Sequence, residues 1–116
     1  MTSLLFAYGT LMPPDPESAQ ERGWQPDAVR GRLYDLGPYP ALVDLDDPEA
    51  GWVEGYAGPV EADELEKHDR WEDVDSGLYR RALTTSRNDL RVWVYVYSRP
   101  LPPGARGPLD RWRPTS

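Results

Sequence analysis

The chain has no cysteine. Disulfides, thiolate catalysis and Cys-type zinc sites are therefore excluded. It has one histidine, His68, and its carboxylates lack the regular spacing of a calcium loop, so no metal site is expected. Basic charge is in deficit: 13 Lys and Arg stand against 20 Asp and Glu, giving a net charge of -7. Nucleic acid and anionic membranes both call for a basic surface, so neither is an expected partner. Long apolar runs are missing too. The first run, LLFA, is far too short for a signal sequence or a membrane span, and no Lys or Arg precedes it. A cytoplasmic protein is the expectation. There is no P-loop, no dinucleotide fingerprint and no Gly-x-Ser-x-Gly elbow. Spacing alone leaves a Ser-His-Asp triad open, with His68 as its base.

What is present points to a small domain with an aromatic core. A length of 116 residues suits one domain, 1–116, with a single core. Trp and Tyr, at 5 and 7, outnumber the one Phe. Such side chains have an apolar body and a polar tip, which suits a pocket wall as well as a core.

Along the chain, residues 3–8 read as a short buried strand, apolar on both faces, ending at Gly9. Pro13, Pro14 and Pro16 interrupt regular structure, and residues 17–22 allow one or two helical turns. Residues 28–36 alternate as a half-exposed strand, with Val29 and Leu33 opposite Arg30 and Arg32, and Gly31 marking a bend or bulge. After the turn GPYP, residues 41–45 form another strand. DDPEAG then closes a hairpin onto a returning strand at 52–60.

The period changes at residues 61–71 (EADELEKHDRW), a helix with acidic residues in its first turn. Residues 78–86 and 90–98 form a hairpin turning at RND. In its second strand Leu90, Val92, Val94 and Val96 line one face and Trp93, Tyr95 and Tyr97 the other. A strand apolar on both faces belongs inside a sheet or barrel wall. From Arg99 on, Pro, Gly and Arg indicate an irregular tail, pinned by Trp112. The expected architecture is α+β: five or six short strands in a strongly curved sheet or small mixed β-barrel, with one main flanking helix.

On the helix, Leu65, His68, Trp71 and Glu72 share one face if the helix continues through Glu72, and Leu65 and Trp71 mark that face as buried. A carboxylate turned toward an apolar interior has a raised pKa, the environment of a general acid/base. If the helix ends earlier, Glu72 caps or solvates the next turn. His68 reads as a partly buried, hydrogen-bonded histidine, or as a group that tunes Glu72 across one helical turn. Glu64, Glu66, Lys67, Asp69 and Arg70 read as a solvated charge run. The turn YGT ends the first strand; it either closes that strand or presents backbone N–H groups to a ligand.

Four segments together resemble the γ-glutamylcyclotransferase-like family, which includes γ-glutamylamine cyclotransferases and AIG2-like plant proteins. They are YGTLM, GRLYDLGPYPALV, ELEKHDRWEDVDSGLYRR and VWVYVYSRPLPPGA, in the family's order and across nearly the whole chain. The resemblance implies a small mixed barrel with flanking helices and an active site in a cavity at one end. It implies that the loop Tyr8, Gly9, Thr10 and Leu11 binds the substrate α-carboxylate through its backbone. It implies that Glu72, in WED where the family commonly has FEG, is the acid/base, and that Tyr79 lies near the site. The sequence departs from the family pattern at His68, usually Leu, and in EDVDSG, which replaces a shorter glycine-led turn.

The implied reaction is intramolecular. The α-amine of a γ-glutamyl amine or amino acid attacks its own γ-carbonyl, expels the amine and leaves 5-oxoproline. It needs no cofactor. The competing expectation is a non-catalytic module that binds a γ-glutamyl or carboxylate ligand on the same fold. A third, weaker expectation is an interaction protein that uses Trp93, Tyr95 and Tyr97 as a partner surface; core and pocket wall account for those rings better. Neither the leaving amine nor the oligomeric state is written in the sequence.

Overall fold

The computed structural model describes residues 2–9, 16–37, 39–71 and 77–111. The first strand, β1 (Thr2–Ala7), is apolar on both faces because it lies at the centre of a five-stranded sheet. Helix α1 (Pro16–Glu21) leads to β2 (Gln25–Arg30), β3 (Arg32–Asp35) and β4 (Pro40–Val43). The long strand β5 (Trp52–Glu61) precedes helix α2 (Ala62–Trp71), and β6 (Tyr79–Thr85), β7 (Arg91–Tyr97) and β8 (Arg106–Leu109) complete the described elements.

The large sheet has the order β2-β5-β1-β7-β6 and the small one β4-β3-β8. Strand β1 runs antiparallel to β5, from Thr2 opposite Glu61 to Ala7 opposite Tyr56. It runs parallel to β7, with Leu5 beside Trp93. The two faces of the large sheet bury different things. Phe6, Val92, Val94 and Val96 pack with Leu33 of β3 and Leu42 of β4. On the other face Leu5, Ala7 and Tyr95 pack with Ala19 of α1 and Leu65 of α2. Helices therefore cover one face and the small sheet the other.

Five expectations change. Eight strands are described where five or six were expected, because one expected strand is two and part of the tail forms another. The strands do not close into a barrel; they form two sheets. Curvature nonetheless brings the outer strands of the large sheet together at one end. The Arg87 N–H, in the turn after β6, donates to the Ala28 carbonyl of β2, and the Asn88 N–H donates to the buried Asp27 carboxylate. These contacts join the edges without a ladder.

The single strand expected at 28–36 is two strands, split at Gly31, where the chain passes from the large sheet to the small one. A Cβ at Gly31 would stand 2.9 Å from Leu42 Cδ1 and 3.1 Å from the Val43 carbonyl oxygen. Glycine is what allows the crossing.

The strand at 40–43 does not pair with the strand at 52–61. β4 pairs with β3, and β5 pairs with β1 and β2. Between them Asp44 and Asp46 adopt left-handed backbone conformations, with φ of 54° and 67°, and turn the chain away from a hairpin.

The tail is not wholly irregular. β8 pairs with β3, Leu33 opposite Leu109 and Asp35 opposite Arg106. Trp112 lies outside the described residues.

Candidate active site

Tyr8 directly follows β1 and is buried, its ring stacked at 6.4 Å on that of Phe6. A buried phenol needs a partner. The Tyr8 hydroxyl finds one by donating to the main-chain carbonyl of Tyr95 on the neighbouring strand. This bond ties the end of β1 to β7. Gly9 is half-buried just beyond it.

On the other side of β1, Gly55 of β5 lies against the last strand residue. A Cβ there would fall 2.2 Å from the Ala7 carbonyl oxygen. The missing side chain lets β5 press against the backbone where the Tyr8–Gly9 turn begins.

Because β1 and β7 are parallel, their C-terminal ends lie together. Leu5 is level with Trp93, so Gly9 and Tyr97, each four residues further on, fall at the same end. Tyr97 pairs with Tyr79 of β6. The Tyr79 hydroxyl donates to the Pro40 carbonyl at 2.6 Å, and its ring meets Tyr39 and Tyr97 edge-on at 6.3 and 5.7 Å. The structure thus brings Tyr8, Gly9 and Tyr79 to one end of the large sheet. The two tyrosine side chains occupy different cores: Tyr8 lies in the inter-sheet core and Tyr79 in the helix-side core. Thr10, Leu11 and Glu72 lie outside the described residues.

Helix α2 starts at the opposite end of the sheet, where Glu61 pairs with Thr2. Leu65 buries against the sheet, and by Asp69 the helix has reached Tyr95. The Tyr95 hydroxyl donates to Asp69 Oδ1 at 2.8 Å. The other Asp69 oxygen lies 3.5 Å from Arg81 Nη1, and the Arg81 guanidinium sits 4.7 Å from the centre of the Trp93 ring.

Asp69 is therefore not part of a solvated charge run, as its sequence context suggested. The signal was available: Asp69 follows Leu65 by four residues and so lies on the same side of the helix. Arg81 alternates with Tyr79 on one face of β6 and stands opposite Tyr95.

His68 is half-buried. Burial pushes its imidazole below the ordinary histidine range; Glu64 and Asp69 pull it back up, and Arg22 adds to the depression.

Among the described residues no cluster of His, Asp or Glu could hold a metal ion. No described helix is long and apolar enough to cross a membrane.

The arrangement has relatives among solved structures. An AIG2-like protein from Mus musculus superposes with a TM-score of 0.76 at 18% identity, covering 97% of this chain and 88% of its own. The protein ytfP from Escherichia coli is 28% identical, with a TM-score of 0.67 and coverage of 94% of this chain and 95% of its own. An uncharacterized protein from Pyrococcus horikoshii gives a TM-score of 0.67 at 18% identity over 94% of this chain and 88% of its own. No curated protein sequence matches. The sequence model described as "Gamma-glutamyl cyclotransferase, AIG2-like" matches residues 5–114, so the chain belongs to that family.

Proposed function

We propose that this protein is a cytoplasmic γ-glutamylcyclotransferase-type enzyme that releases 5-oxoproline from a γ-glutamyl amine or γ-glutamyl amino acid. One observation carries the reading. The family match spans residues 5–114, and inside it the end of β1, Tyr79 and the approach of α2 converge at one end of the large sheet.

The chemistry asks little of the protein. The substrate's α-amine attacks its γ-carbonyl carbon, forming one C–N bond. The C–N bond to the leaving amine breaks. The ammonium gives up one proton to become the attacking amine, and that proton ends in water or on the released amine. A second proton, lost as the ring N–H forms, ends on the leaving nitrogen. The enzyme must hold the glutamyl chain in its folded conformer. It must also carry that proton.

In this scheme the backbone N–H groups of Gly9, Thr10 and Leu11 bind the α-carboxylate. Tyr8 serves from beneath: its hydroxyl, engaged with Tyr95, fixes where that loop leaves the strand. Tyr79, with its hydroxyl engaged by Pro40, offers its ring as part of the wall. Glu72, which follows Trp71 in the sequence, accepts the proton and passes it on. A depressed pKa at His68 favours the neutral imidazole.

The test is 5-oxoproline release from a panel of γ-glutamyl amines and dipeptides, measured for the natural protein and for Glu72→Gln. Turnover by the former and a loss of roughly 10²–10⁴-fold in the latter is the expected result for an acid/base carboxylate. A variant that keeps most of the activity removes Glu72 from the mechanism. Binding of the panel without any product would make the chain a non-catalytic module.

A further inference from the structure

Tyr95 touches both the end of β1 and helix α2. Its main-chain carbonyl accepts the Tyr8 hydroxyl at the end of β1. Its own hydroxyl donates to Asp69 Oδ1 at 2.8 Å, with the Leu65 carbonyl at 3.4 Å. Tyr95 is buried, and Asp69 at the other end of the bond is half-buried.

Helix α2 needs such a bridge. Among its described side chains Leu65 is the one that is buried; those of the first turn are exposed. Leu65 and the half-buried His68 give the described part of α2 packing contacts, which are non-directional and leave its roll to be set by other bonds. Asp69 lies one turn further on the same side, and a second attachment there fixes the roll. The acceptor is itself held: its second oxygen faces Arg81, and Arg81 lies over the Trp93 ring. Trp71 is the last described residue of α2, and Glu72 is the next residue in the sequence. Adjacent Cα atoms are about 3.8 Å apart, so Glu72 is tethered by one peptide bond to that last described turn.

We infer that Tyr95 and Asp69 are positioning residues. Their hydrogen bond sets the last turn of α2, and with it Glu72, relative to the carboxylate-binding turn at the end of β1. The inference rests on the reading that Glu72 carries the proton. Neither residue takes part in the chemistry. Arg81 keeps Asp69 oriented, and because this ion pair is about a quarter exposed on each side, its charge contributes less than the Tyr95 bond.

The test uses the full chain. Tyr95→Phe removes the hydroxyl with no change of ring. Asp69→Ala removes the acceptor, and Asp69→Asn restores an oxygen that can accept from Tyr95. Thermal melts establish that each variant is folded. For 5-oxoproline release, Tyr95→Phe and Asp69→Ala should lower kcat by roughly ten- to a hundredfold, the range for a misplaced reacting group. KM should stay within about twofold, since substrate binding is untouched. Asp69→Asn should recover most of the kcat that Asp69→Ala loses.

Folded variants that keep the natural kcat, or that change KM alone, overturn the inference. Glu72→Gln in the same assay reports separately on the underlying reading: if it stays active, that reading fails. Amide hydrogen exchange tests the link without turnover. Tyr95→Phe should speed exchange in α2 about tenfold relative to β1. Equal exchange in the two proteins overturns the link, whether or not the panel contains a substrate.

Discussion

The two faces of β7 do different work. Val92, Val94 and Val96 face the small sheet and make apolar contacts in a core shared with Phe6, Leu33 and Leu42. Trp93, Tyr95 and Tyr97 face the helices and make directional contacts as well as burying area: the Tyr95 hydroxyl bonds Asp69, the Trp93 ring lies under Arg81, and the Tyr97 ring meets Tyr79 edge-on. An aliphatic core is non-directional and tolerates rotation of its parts. A hydroxyl bonded to a named oxygen does not. The comparison separates a face that holds the fold together from a face that tells the helix and the loop where to stand.

That division can be broken from either side. The largest effect on stability is expected on the aliphatic side. Phe6→Ala empties a site 1% exposed and should cost about 3–5 kcal/mol, read from urea denaturation. A loss under 1 kcal/mol would mean that the inter-sheet core collapses freely to fill the gap.

Gly55→Ala comes next. Its Cβ meets the Ala7 carbonyl oxygen at 2.2 Å, so the strands must separate, at a cost of about 1–3 kcal/mol. Because the displaced backbone leads directly to Tyr8 and Gly9, activity should fall further than stability. A folded variant with unchanged KM would show that β5 does not set the loop.

On the tethered side, Tyr79→Phe leaves the Pro40 carbonyl without its donor in a buried setting. About 1–2 kcal/mol is the expected loss in denaturation, with the Tyr39 and Tyr97 ring contacts kept.

The smallest effect concerns His68. Its folded-state pKa lies below its ordinary value of 6.5, so the unfolded chain takes up the proton first. Its contribution is intact above about pH 6.5 and is lost as pH falls from there toward the folded-state value. His68→Leu should therefore flatten the fall in stability between pH 7 and 5 compared with the natural protein. Parallel melting curves of the two proteins over that window would contradict the assignment.

Much of this was legible in the sequence, for reasons that differ from element to element. β7 announces itself because its two faces carry two chemistries at period two, and α2 because acidic residues crowd its start. β1 is readable as a central strand from its lack of any polar face. Pairing was harder. The segments at 40–43 and 52–61 are neighbours in sequence, but two aspartates in left-handed conformations send the chain elsewhere, and nothing in their spelling forces that. β8 is hidden by Gly107 and Pro108, residues that ordinarily argue against a strand.

At the candidate site, Tyr8, Gly9 and Tyr79 could be singled out by resemblance. The bonds that hold them could not. Tyr8 meets Tyr95 across 87 residues of chain and Tyr79 meets Pro40 across 39. Such contacts depend on the register of β1 against β7 and of β6 against β7. Asp69 looked like surface charge because its partner lies on another element.

The most direct test of the central claim is a crystal structure of Glu72→Gln with a γ-glutamyl amine bound. The account predicts the α-carboxylate on the N–H groups of Gly9, Thr10 and Leu11, with the residue 72 side chain within hydrogen-bond reach of the α-amine. A ligand bound away from those amides, or a residue 72 side chain turned from the amine, would contradict it.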